Sequence, residues 1–223
     1  AVGVIMGANI GTTATSWILS LSGIEGGNVF MQLLKPSSFS PVLALIGAAL
    51  LMFSKSEKKK NIATIMIGFS ILMHGMDAMS GAVKPLAEVP EFGNILTMFS
   101  NPVMGVLAGT VITAVIQSSS ASVGILQALC ATGSVTYGLA IPIIMGQNIG
   151  TCITAIMSSI GANKNAKRAA AIHLYFNLIG TFIFMIAFYS INMVVRFDFL
   201  EDAIGPANVA VIHSIFNVVT TVI

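Results

Sequence analysis

Four uncharged polar side chains, Gln117, Ser118, Ser119 and Ser120, stand in succession inside the apolar run 113-TAVIQSSSASVGIL-126. Three hydroxyls and an amide beside backbone N–H groups make a donor-rich cluster. Such clusters at a helix N-terminus, where the helix dipole is positive, suit anions. A second polar group, Gln147, Asn148 and Thr151 in 144-IMGQNIGTCIT-154, offers oxygen atoms instead. Gly146 and Gly150 flank it and Pro142 sits one turn earlier, so residues 142–151 are expected to unwind. Unwound carbonyls, with Asn148 and Thr151 beside them, suit a hard cation such as sodium and require no buried charge. Each patch also has a plainer use. G-x-x-x-G is a close-packing pattern, and serines in membrane helices commonly hydrogen-bond to neighbours. Packing is the better account of either patch alone; the two together, one of them duplicated, favour binding.

The elements that must position these residues follow from composition. Of 223 residues, 56% are hydrophobic and 8% charged, and mean hydropathy is +0.93. Soluble domains carry roughly 25% charged residues, so this chain cannot build a water-facing surface and is expected to be an all-α integral membrane protein, in contact with a lipid bilayer. Apolar segments fall near 1–22, 41–54, 61–83, 102–133, 137–160, 169–195 and 207–223. The segment 102–133 is long enough for two spans or for a hairpin that enters the bilayer and returns. Cys130 and Cys152 lie in apolar segments with no metal or disulfide spacing. Nothing in the charge pattern points to nucleic acid.

Seven of the ten basic residues fall in two connections, 55–60 and 161–168. The positive-inside rule places both in the cytoplasm of a multi-pass protein of the cell membrane. Glu25, Glu88, Glu91, Asp198, Glu201 and Asp202 occupy the other connections. An even number of crossings between the basic loops fits either form of 102–133. One carboxylate, Asp77, falls inside a span, one turn after His74. An intramembrane acid is by default a functional candidate, here for coupling. The alternative, an interfacial pair with His74, is about equally good.

The chain also repeats itself. Set against 140-AIPIIMGQNIGTCITA-155, the opening AVGVIMGANIGTTATS matches at nine of sixteen positions, 139 residues apart. Recurrence of G-x-N-I-G-T whole points to two halves on one template, with a site at their interface. The same offset puts a first-half counterpart of Q-S-S-S about 23 residues before Ala1. A weaker echo, H-x-x-F-N, joins His173 and Asn177 with His213 and Asn217. Interhelical hydrogen bonding is the preferred account of these four.

Q-S-S-S followed by G-Q-N-I-G-T, with the earlier G-A-N-I-G-T-T, resembles the type II sodium-dependent phosphate cotransporter family and its bacterial relatives. The resemblance runs from Ala1 through Asn177. It implies an inverted-repeat transporter, each repeat with a re-entrant hairpin and a broken helix, that binds inorganic phosphate and sodium ions near the midplane. It implies phosphate binding by Gln117, Ser118, Ser119 and Ser120. It implies sodium binding by Gln147, Asn148 and Thr151 in the second repeat and by Asn9, Thr12 and Thr13 in the first. Residues 1–83 would then be the remainder of the first repeat with connecting helices, and 84–223 the second repeat. The expected function is sodium-coupled symport of phosphate, not catalysis, with no metal beyond sodium and room for a homodimer. Two other classes stand against it. One is a membrane sensor or scaffold in which the repeat is structural. The other, an intramembrane hydrolase, needs a motif joining serine to histidine, and the sequence has none.

Overall fold

Hydrocarbon leaves a backbone no partner but itself, so a chain this apolar must satisfy its amides within helices. The computed structural model does so. It describes residues 2–21, 36–85, 89 and 99–223, and the described residues form eight helices: α1 (Val2–Ser20), α2 (Pro36–Phe53), α3 (Glu57–Val83), α4 (Pro102–Ile116), α5 (Ser119–Cys130), α6 (Tyr137–Ser158), α7 (Lys164–Val195) and α8 (Pro206–Val222). Of these, α1, α3, α6 and α7 are long and apolar enough to cross a membrane. Ala1, Glu25, Glu88 and Glu91 lie outside the described residues.

Helix starts follow local chemistry. Asn101 caps α4 by accepting from Val103 N at 2.9 Å, with Pro102 at the first position, and Asn163 caps α7 by accepting from Ala166 N at 2.9 Å. The basic segments expected as loops 55–60 and 161–168 are largely helical instead. Ser54–Ser56, with Lys55 between them, and residues 159–163 make the connections, and the other lysines ride in the first turns of α3 and α7. Lysine is a good helix former, so positive charge marked the segment without marking a break.

The segment 102–133 is a helical hairpin, α4–α5. Its arms of 15 and 12 residues are about 22 and 18 Å long at 1.5 Å per residue, short of the roughly 30 Å of a bilayer core. Gly105 faces Pro142, Gly109 faces Ile143 and Gln147, and Gly150 faces Thr110 and Thr113, so α4 and α6 run in the same direction. Both ends of the hairpin therefore lie at the N-terminal end of α6. Met76 and Met79 of α3 pack on Gly124 of α5, while Asp77, Ser80 and Lys84 share a cavity with residues 128–133. Thus α3 runs with α5 and against α6, and both basic segments lie at one end of the bundle. The apolar centre, Val123, Leu126, Leu139, Ala140, Ile144 and Val209, forms where α5, α6 and α8 meet.

The expected break at 142–151 is absent. Helix α6 runs unbroken through Pro142, Gly146, Gln147, Asn148, Gly150 and Thr151, and α1 likewise runs unbroken through Asn9, Thr12 and Thr13. The glycines serve contact instead: a Cβ on Gly146 would strike the Val106 carbonyl and Thr110 N, and one on Gly150 would lie 2.6 Å from the Thr110 carbonyl. The packing use of G-x-x-x-G is the one realised in α6. On α1 the matching Gly7 and Gly11 are open, with nothing among the described residues within 4 Å of where a Cβ would stand.

Candidate functional site

The hairpin turns at Gln117, which adopts the left-handed conformation (φ 59°, ψ 23°) and closes α4 by donating its N–H to the Thr113 carbonyl at 2.7 Å. A non-glycine residue there costs about 1–2 kcal/mol, and such strain concentrates at functional sites. Gln117→Gly should therefore preserve or raise the thermal midpoint of the purified protein. Gln117→Val, β-branched at positive φ, should lower it. Equal midpoints would mean that the turn is not strained.

Ser118, extended, caps α5: its Oγ accepts from Ala121 N at 3.2 Å. The cap takes one of the amides that a helix start leaves unpaired. Ser119 and Ser120 form the first turn of α5 beyond it and are half-buried. Their hydroxyls and N–H groups have no protein partner among the described residues. Exposed Gln117 reaches Met157 Sδ at 3.6 Å with Nε2, which places the turn near the C-terminal end of α6. These are four donors at the positive end of a helix, as the residue types require.

Three residues that the sequence reading passed over build the floor of this turn. Thr113 Oγ1 on α4 donates to Ser122 Oγ on α5 at 2.7 Å. Buried Gln147 on α6 donates Nε2 to the carbonyl and the hydroxyl of Ser122, at 3.0 and 2.9 Å. Thr110 Oγ1 bridges to the Gly146 carbonyl at 3.1 Å. The signal was available. Thr110 and Thr113 sit at close-packing spacing on α4, and Ser122 lies four residues after Ser118.

Tying Nε2 to Ser122 fixes the Gln147 amide, because a flip would set Oε1 against the Ser122 carbonyl. Oε1 is left buried and without a donor. One turn on, Thr151 Oγ1 donates to the Gln147 carbonyl at 2.9 Å, which leaves its lone pairs free to face a cation. Asn148 lies elsewhere on α6, is buried, and donates to the Ile144 carbonyl at 3.0 Å.

The first copy of the motif takes another course. Asn9 Nδ2 donates to Asn177 Oδ1 at 3.0 Å, and Asn177 in turn donates to Cys152 Sγ at 3.3 Å. Asn177 thus makes the interhelical bond expected of it, and Asn9 is linked through it to α6. Thr12 and Thr13 bond only within their own helix, to the carbonyls of Ala8 and Ile10, and do not join the hairpin turn. Exposed His74 and partly buried Asp77 are not bonded to each other, so the alternative of a local pair is not the one realised. Asp77 instead faces the cavity of about 650 Å³ that it shares with Lys84, at the end of the bundle away from the lysine-rich segments. Ile5 near the start of α1 lines a cavity with Ala155 and Ser158 at the C-terminal end of α6, and Leu19 near its end packs on Gly124 of α5, so α1 runs antiparallel to α6.

The family described as Na+/Pi-cotransporter matches residues 1–81 and 73–200. Among curated relatives, the uncharacterized protein YqeW of Bacillus subtilis is 28% identical over 177 residues, covering 79% of this chain and 53% of its own. The putative inorganic phosphate export protein YjbB of Escherichia coli is 24% identical over 183 residues, 82% of this chain and 31% of its own. The rat sodium-dependent phosphate transport protein 2A is 35% identical over 132 residues, 54% of this chain and 20% of its own. The chain therefore spans about half the length of the first of these and less of the others. No solved structure matches it significantly. With an all-helical membrane architecture, the Q-S-S-S turn and the family match extending over residues 1–200, the chain belongs to the Na+/Pi-cotransporter family.

Proposed function

We propose that this chain supplies binding elements of a secondary transporter that moves inorganic phosphate together with sodium. The observation that carries the reading is the hairpin turn, where the donors of Gln117, Ser119 and Ser120 gather at the start of α5 with no charge of their own. Phosphate takes these donors, and sodium takes Gln147 Oε1, which is buried and lacks any donor, together with Thr151. Asn148 and the first-repeat residue Asn9, linked through Asn177 and Cys152, belong to the same cation machinery, which Thr12 and Thr13 complete from α1. Asp77, with His74 near it, is proposed to couple from the cavity side.

The relatives' names support phosphate as the substrate, one naming sodium and one naming export. In this reading residues 1–83 and 84–223 are parts of two inverted repeats, which the antiparallel α1 and α6 support. The basic segments at the starts of α3 and α7 face the cytoplasm.

The test is uptake of radiolabelled phosphate by the full chain in proteoliposomes, with an inward sodium gradient against choline. Sodium-dependent accumulation supports the proposal, and uptake indifferent to sodium overturns the coupling. Gln147→Leu keeps the size and removes the orphan oxygen. It should raise the sodium concentration for half-maximal uptake about tenfold, the effect of roughly 1.4 kcal/mol, and, because the bonds from Nε2 to Ser122 are lost as well, it should lower the thermal midpoint equally in sodium and in choline. An unchanged sodium requirement removes Gln147 from the cation site.

A further inference from the structure

Between α7 and α8 lie polar atoms that no protein group among the described residues satisfies. Asn217 is 0% exposed, and neither its Nδ2 nor its Oδ1 has a partner. One turn earlier on the same face, buried His213 leaves Nδ1 unpaired, and on α7 buried Thr181 leaves Oγ1 unpaired. The helices touch here at Gly180, where a Cβ would lie 2.6 Å from the Thr220 methyl. Thr181 adjoins Gly180, and Asn217 precedes Thr220 by one turn, so these two lie beside one close contact, with His213 one turn further along α8.

The other H-x-x-F-N copy shows what a satisfied member looks like. Asn177 accepts from Asn9 and donates to the His173 carbonyl and to Cys152 Sγ. Asn217 has none of these bonds. A buried amide without partners is costly, and buried polar groups that lack a protein partner are as a rule held by ordered water.

The unmet needs identify the occupant. Asn217 Nδ2 needs an acceptor and Oδ1 needs a donor, while Thr181 Oγ1 and His213 Nδ1 accept or donate. A cation would serve the oxygens and leave Nδ2 orphaned, and an anion would do the reverse. Water does both. We propose that the α7–α8 seam holds resident water bridging Asn217, Thr181 and His213, a buried hydration site separate from the hairpin turn and independent of what the protein carries.

The test uses the purified full chain with Asn217→Leu, Thr181→Val and the double variant, melted in sodium chloride and in choline chloride. Each single substitution should lower the midpoint by a few degrees, on a scale of about 2–4 °C per kcal/mol for a chain of this size. The double variant should fall no further than the worse single, because either change already evicts the shared water. The shifts should be equal in sodium and choline. A raised or unchanged midpoint for Asn217→Leu overturns the proposal, since it is the result expected of a dry orphan amide. Additive losses overturn it as well, and so does a loss seen only in sodium, which would assign the seam to a cation. If Asn217→Leu does not fold, the near-isosteric Thr181→Val decides alone, an unchanged or raised midpoint counting against the water.

Discussion

Gly146→Leu should abolish sodium-dependent phosphate uptake and sharply reduce the yield of monodisperse protein. The side chain would have to occupy the space of the Val106 carbonyl and Thr110 N on α4. Backbone atoms cannot rotate away, so the helices must part, and overpacking of this kind costs about 1–3 kcal/mol or more. Parting also breaks the bond from Thr110 Oγ1 to the Gly146 carbonyl and pulls α6 from Ser122, the anchor that orients Gln147. The loss therefore reaches the site as well as the fold. Gly7→Leu, at the matching position on α1, is the control, because nothing among the described residues stands within 4 Å there. Uptake and size-exclusion profiles of both variants check the prediction. Parent-like behaviour of Gly146→Leu would show that the α4–α6 contact is not needed. Equal damage from Gly7→Leu would show that the open stripe on α1 is covered in the working protein.

The second large effect is expected from Ser119→Ala combined with Ser120→Ala. These hydroxyls have no structural bond to lose, unlike Ser118, whose Oγ caps Ala121 N. Hydrogen bonds to a charged acceptor contribute about 1.5–3 kcal/mol each. Losing two should raise the phosphate concentration for half-maximal uptake by roughly 100-fold or more, with the thermal midpoint without phosphate little changed. Ser118→Ala should instead lower the midpoint by loss of its cap, worth about 0.5–2 kcal/mol. Phosphate affinity in the parent should rise with sodium, and sodium affinity with phosphate by the same factor, as linkage requires. An affinity unmoved in the double variant would take the serines out of the phosphate site.

The sequence carried the membrane class and the polar run in plain form, while the hairpin was one of two forms that the length of 102–133 allowed, chosen only by the family resemblance. Charge was too scarce for a soluble surface, and a Q-S-S-S run in apolar surroundings has few uses other than a helix junction. It did not carry the state of α6. Glycine that loosens a helix and glycine that admits a neighbour are the same letter, and only the helix facing Gly146 and Gly150 distinguishes them. Pro142 misled for a related reason: it sits in the second turn of α6, where its missing N–H interrupts the ladder only once. Thr113 and Ser122 stand at helical spacings that the sequence shows, but their value comes from meeting each other across the hairpin. The bond from Asn9 to Asn177 spans 168 residues, a separation over which no local pattern speaks.

The hairpin has a consequence for how the chain is made. Thr113 and Ser122 are nine residues apart, so the two arms can close on each other as soon as both have been synthesised. The bond from Gln147 to Ser122 spans 25 residues and must wait for α6 to emerge. Until then the polar turn has no α6 beside it to shield it from lipid, and neither arm is long enough to halt in the bilayer as a span of its own. Biogenesis must therefore hold α4 and α5 back and release them into the membrane together with α6 as one cargo. The segment proposed to bind solute is thus expected to enter the membrane late, together with α6, as a unit.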